Sequence, residues 1–152
     1  MPTHYSGTPQ ETLALNTFIK LTRSVESLTS RLSQRGTQGD LTPSQFGVLE
    51  TLYHLGGMCQ SELAAKILKS SGDLTMVIDN LEKQNLVHRV RDLEDRRKVQ
   101  VSLTDEGRQL IGQIFPGHVA SITAEMSTLT PQEQETLGSL CRKLGQGKAS
   151  QA

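Results

Sequence analysis

Residues 83–98 hold the densest charge of the chain: six basic side chains (Lys83, Arg89, Arg91, Arg96, Arg97 and Lys98) against three carboxylates (Asp92, Glu94 and Asp95), a net +3. The remainder carries ten basic residues against thirteen acids, so overall neutrality hides a local cationic segment on an acidic body. Cations gathered this way bind phosphate by releasing its counterions; the same charges on a solvated hairpin tip do no more than confer solubility. The other reactive groups are sparse. Cys59 and Cys141 lie far apart with no C-x-x-C spacing, which argues against a disulfide framework and a structural zinc site. His4, His54, His88 and His118 form no pair at helical ligand spacing, and G-x-S-x-G, H-E-x-x-H and phosphate-loop patterns are absent. No metal, cofactor or enzymatic activity is expected. The enzyme alternative is a thiol-dependent or peroxide-reactive protein using Cys59 or Cys141 with a histidine such as His54.

The elements that carry these residues follow from periodicity. A chain of 152 residues with 35% hydrophobic and only 3% aromatic side chains must build its core from aliphatic residues, which favours helices. Residues 11–35 place Phe18, Leu21, Val25, Leu28 and Leu32 at steps of three and four, an amphipathic helix broken by Gly36. Thr42-Pro43-Ser44-Gln45 reads as a capping box with proline at the first helical position, so a helix is predicted over 43–55, ended by Gly56-Gly57. A short helix over 60–68 follows, then one opened near Ser70 and running to about residue 84, with Leu74, Val77, Ile78 and Leu81 on its apolar face. Residues 86–90 and 98–103 switch to β-branched runs joined by charged residues, the pattern of a hairpin. Thr104 opens another helix, which Pro116-Gly117 is expected to kink or interrupt. Thr130-Pro131-Gln132-Glu133 repeats the cap signature and opens a last helix with Leu137, Leu140, Cys141 and Leu144 on one face. On that face Cys141 reads as a buried structural cysteine.

Two short helices followed by a charged hairpin suit duplex DNA, because the second helix can enter a major groove about 12 Å wide while the hairpin reaches the neighbouring groove. The stretch 73–107 (DLTMVIDNLEKQNLVHRVRDLEDRRKVQVSLTDEG) resembles the signature of the MarR (multiple antibiotic resistance regulator) family of winged helix-turn-helix transcription regulators. The markers are Ile78-Asp79-Asn80-Leu81-Glu82, Asn85-Leu86-Val87, Asp95-Arg96-Arg97 and Leu103-Thr104-Asp105-Glu106-Gly107; the similarity of layout covers residues 11–145. The resemblance implies that Arg97 enters the minor groove and that Asp95 holds it in position. It places Ser70, Ser71, Asp73, Thr75, Met76 and Asn80 on or near the groove-facing side of the second helix, with Lys83, Arg89, Arg96 and Lys98 as further cationic contacts. Met76 stands where a basic residue is common in the family, and Asp73 reads equally as a contact residue or as a helix N-terminal acid.

The resulting expectation is a mainly α protein with a small β-hairpin. A winged helix-turn-helix lobe spans residues 41–104, a helical dimerisation region spans 11–35 and 105–145, and residues 1–10 and 146–152 are disordered tails. The terminal helices either bury their apolar faces against a second copy, giving a homodimer that reads a pseudo-palindromic operator, or fold back into a monomeric core. The resemblance further implies a repressor released by a small phenolic or aromatic effector, or by an oxidant. Phe18, Thr22, Phe46, His54 and Ile111 are the candidate pocket residues, each of which reads equally as ordinary core. Cys59 is the redox candidate, although it lies outside the N-terminal helix that carries the family's peroxide-sensing cysteine. A helix-turn-helix used for protein contacts alone is the third class. With no apolar leader and no spanning segment, no membrane partner and a cytoplasmic location are expected.

Overall fold

The computed structural model describes residues 2–67 and 71–148, without the side chain of Ser71. Ser70, expected on the groove-facing helix, lies outside the described residues. The elements are α1 (Pro9–Gln34), α2 (Pro43–Leu55), β1 (Met58–Cys59), α3 (Gln60–Lys66), α4 (Ser71–Lys83), β2 (Val87–Arg91), β3 (Val99–Leu103), α5 (Asp105–Met126) and α6 (Pro131–Gln146). The chain divides into two compact units, Gly36–His118 and, separately, Met1–Arg35 with Val119–Ala152.

Three helices start on one tetrapeptide plan. Thr8, Thr42 and Thr130 each accept the N–H of the residue three on, the third residue's side chain accepts the threonine N–H in return, and a proline stands at the first helical position. The Thr8 box starts α1 two residues earlier than periodicity indicates: Glu11 Oε2 accepts the Thr8 N–H at 2.8 Å. Pro9 and Gln10 of the expected tail are therefore helical, and Thr3 N–H donates to Asn16 Oδ1 at 2.7 Å. At the other end α6 runs to Gln146, one residue into the expected tail. α5 continues through Pro116 without interruption.

The core of unit 36–118 is one aliphatic cluster. Phe46, Val48, Leu49 and Leu52 of α2 pack with Leu63 of α3, Leu74, Ile78 and Leu81 of α4, Val87 and Val101 of the sheet, and Ile111 of α5. The sheet has three antiparallel strands in the order β1-β3-β2, where a two-stranded hairpin was expected. The added strand is only Met58 and Cys59, opposite Val101 and Gln100. Asn85, at φ +58°, ends α4 in the left-handed conformation; its N–H reaches the Glu82 carbonyl and the Leu86 N–H reaches that of Leu81. Thr104 then ties this corner to α5, donating its hydroxyl to the Asn85 carbonyl at 2.6 Å and accepting the Gly107 N–H at 3.0 Å.

The other unit is open in a different way. Neither α1 nor α6 contains a buried residue. Leu13, Phe18 and Val25 of α1 and Leu140 and Leu144 of α6 are each more than half exposed. Cys141 is exposed as well, which corrects the expectation of a buried cysteine: its helix face is apolar, but the described residues leave it uncovered. α1 is fixed to the end of α5 by Glu125, whose carboxylate takes Arg31 Nε at 2.7 Å and Arg35 Nη2 at 2.6 Å. These two guanidinium groups hold the Glu125 carboxyl below the usual range. No helix among the described residues is long and apolar enough to cross a membrane.

Candidate nucleic-acid interface

The second helix of the pair, α4, hides Leu74, Ile78 and Leu81 and presents Asp73, Met76, Asn80 and Lys83 to solvent at steps of three and four. Met76, a large apolar side chain, is 70% exposed. Thr75 is fixed from α3 by Gln60, whose Nε2 donates to its hydroxyl at 2.7 Å. Asp73 lies in the first turn of α4, where its charge opposes the positive end of the helix dipole.

The hairpin tip, residues 92–98, is built on carboxylates. Asp92 Oδ1 accepts the N–H groups of Glu94 at 2.8 Å and Asp95 at 3.3 Å, and its Oδ2 accepts Gln100 Nε2 at 3.2 Å. Backbone bonds from Asp92 N–H to the Lys98 carbonyl and from Lys98 N–H to the Asp95 carbonyl, both 2.9 Å, close the loop. Asp95 contacts Arg97, with Oδ1 accepting the Arg97 backbone N–H and Nε, each at 3.1 Å, while Oδ2 takes Nη2 at 3.4 Å. The Arg97 side chain is 92% exposed, so the fork is oriented without being buried. Accepted N–H groups lower both carboxyls below the usual range, for Asp92 chiefly those of Glu94 and Asp95, for Asp95 chiefly those of Arg97. Arg96 and Lys98 are exposed beside them.

Arg89 is placed differently from the other cations. Its Nη2 lies 2.7 Å from Asp79 Oδ1 and its Nη1 3.2 Å from Glu82 Oε1, and its own N–H donates to Glu82 Oε2. Its charge is thus compensated by α4, and its visible work is to lock β2 to that helix. Asp92, counted from sequence only as a charge, is the residue that sequence reasoning missed. The signal was its position three before Asp95, where a short carboxylate can accept backbone N–H groups two and three residues on.

The five expected pocket residues divide between the units. Phe18 is 62% exposed and Thr22 returns its hydroxyl to carbonyls of its own helix. In unit 36–118, Phe46 and Ile111 are packed in the core, at 2% and 0% exposure, in line with the ordinary-core alternative that the sequence left open for them. His54 is exposed and stacks edge-on with Phe115 at 4.7 Å, while His118 stacks on Phe46 at 4.4 Å and meets the Thr37 hydroxyl at 3.3 Å. Cys59 is half-buried in β1 with Sγ 3.2 Å from Ser61 Oγ.

A helical pair buttressed by a three-stranded sheet, with an exposed second helix and a cationic wing, is a winged helix-turn-helix. The model of the MarR family matches residues 41–99. The chain is 34% identical over 132 residues to the HTH-type transcriptional regulator MhqR of Bacillus subtilis (strain 168), covering 87% of this chain and 91% of that protein. Among solved structures, it is similar to Sco3205, a MarR family transcriptional regulator from Streptomyces coelicolor in complex with DNA (28% identity, TM-score 0.79, 97% of this chain and 94% of the other). It is equally similar in fold to Bordetella bronchiseptica BpsR, whose DNA binding is regulated by 6-hydroxynicotinic acid (25% identity, TM-score 0.79, 97% and 100%). The chain belongs to the MarR family of transcriptional regulators.

Proposed function

We propose that this regulator is a homodimeric repressor that binds a pseudo-palindromic operator and leaves it when a small phenolic or aromatic compound binds. The observation that carries the DNA reading is the Asp95–Arg97 pair: a guanidinium oriented by three hydrogen bonds yet almost fully exposed. A narrow minor groove concentrates negative potential, and a fork already oriented loses less entropy on entering it. The stripe of Asp73, Met76, Asn80 and Lys83 would face the major groove, where Asn80 can pair with a base edge and Met76 can meet a thymine methyl. Ser70, Ser71, Thr75, Arg96 and Lys98 join them as flanking contacts in this reading.

Dimerisation is supported by α1 and α6, which bury no residue in the single chain while exposing Leu13, Phe18, Val25, Leu140 and Leu144. Two recognition helices about 34–36 Å apart would match half-sites one helical turn apart. A ligand that prefers another spacing by a few kcal/mol depopulates the bound state. The small-molecule control of BpsR supports such an effector here. The test is binding to the DNA flanking the gene at about 0.15 M salt, with and without phenolic and aromatic acids. Retention on one pseudo-palindromic fragment, reversed by a compound, supports the reading. Binding of all fragments alike, or no effect of any compound, overturns its sequence-specific or its effector part respectively.

A further inference from the structure

Two aspartates, not one, organise the wing. Asp95 grips Arg97 directly, but the position and direction of Asp95 are themselves set by Asp92. The Asp92 carboxylate accepts the backbone N–H of Asp95 and of its neighbour Glu94, and it is braced from β3 by Gln100. The chain is so short here that a change in the turn at residues 92–95 rotates the Asp95 side chain and with it the fork. Asp92 is itself a liability for phosphate binding: it adds a negative charge within a segment otherwise suited to DNA, and like charges near phosphate cost affinity. Its three accepted hydrogen bonds give a physical reason for an acceptor at this place despite that cost.

We infer that Asp92 is a positioning residue for DNA binding: its carboxylate fixes the wing turn that aims Asp95, and through Asp95 it presents Arg97 to the minor groove. The inference rests on the wing reading of Proposed function, and it predicts a hierarchy. Removing the acceptor frees two N–H groups and one amide at the tip without touching the core of the lobe, so the defect is in aim and not in folding. An asparagine keeps Oδ1 for both backbone donors, and Gln100 can turn its amide to receive the new Nδ2 donor.

The experiment is a double-mutant cycle on full-length protein, using a duplex enriched by the wild type from a random-sequence library and read by fluorescence anisotropy. Asp92→Ala is expected to weaken binding about tenfold, the scale of one or two lost hydrogen bonds, while Asp92→Asn stays within about threefold and all variants keep the wild-type melting midpoint. In an Arg97→Ala background, Asp92→Ala is expected to add nothing. An equal loss from Asp92→Ala in both backgrounds overturns the relay through Arg97. Tighter binding by Asp92→Ala means that phosphate repulsion outweighs positioning and also overturns it, as does an asparagine variant no better than alanine. If Arg97→Ala alone binds like the wild type, the wing reading fails first and the relay falls with it, an outcome distinct from the other three.

Discussion

Arg89 of β2 reaches back to Asp79 of α4, guanidinium to carboxylate at 2.7 Å, and the same guanidinium takes Glu82 one turn further on. The sheet edge is thereby tied to α4, and the charges of two acids on that helix are compensated. Because the partners are partly exposed, Arg89→Ala is expected to cost about 1 kcal/mol of stability and to lower affinity for DNA by uncovering Asp79 and Glu82. Chemical denaturation beside a binding isotherm checks both. An unchanged unfolding midpoint would mean that the lock carries no load.

Gly107 lies under the Leu86 carbonyl so closely that a β-carbon at 107 would overlap it. The backbone there is pinned from both sides by Thr104, so the clash has no flexible side chain to absorb it. Gly107→Ala is expected to destabilise the lobe by about 1–3 kcal/mol, whereas Gly47→Ala, in α2 with no atom within 4 Å of its added carbon, gains helix propensity. Opposite shifts in the melting midpoint are the expected result.

Glu125 gives the helical unit an acid limit. Its carboxyl is depressed by Arg31 and Arg35, so its contribution is complete above the ordinary glutamate value of about 4.3 and is lost as pH falls through the lower folded value. Glu125→Gln should therefore be less stable than the wild type at neutral pH and lose less on acidification, so that the two unfolding curves converge. Parallel curves down to that limit would show that the two arginines do not stabilise the unit through this carboxylate.

Much of this architecture was legible in the sequence because it is local. The periods of α1, α2 and α4, and the threonine-proline caps at Thr42 and Thr130, depend on neighbours within one or two turns. The same cap at Thr8 was hidden by its polar, proline-containing surroundings. β1 could not be read, since two residues give no period and its partner Val101 is far along the chain. Nor does sequence show which cations are already spent: Arg89 and Arg96 look alike until Asp79 and Glu82 are brought beside the first. For Phe46, Ile111 and Cys141, periodicity identified an apolar face without saying what would cover it; the core covers the first two, and the described residues leave the third open.

That open face yields an oligomer prediction. Leu140→Arg, placed on the 59% exposed leucine of α6, should convert a dimer to a monomer in sedimentation equilibrium without unfolding unit 36–118. A variant that stays dimeric would put the interface elsewhere. The exposed Cys141 and half-buried Cys59 allow the oxidant branch to be tested alongside: if mild oxidant releases DNA equally from Cys59→Ser, Cys141→Ser and the double variant, thiols are not the sensor.

The central claim is that the wing binds DNA through an Arg97 aimed by Asp95, and the affinity of Arg97→Ala across a salt series measures it most directly. Loss of the contact is expected to cost about 1–3 kcal/mol at about 0.15 M salt and to reduce the slope of log affinity against log salt by about one, with the melting midpoint unchanged. Equal affinity and equal slope for a folded Arg97→Ala protein would contradict the account.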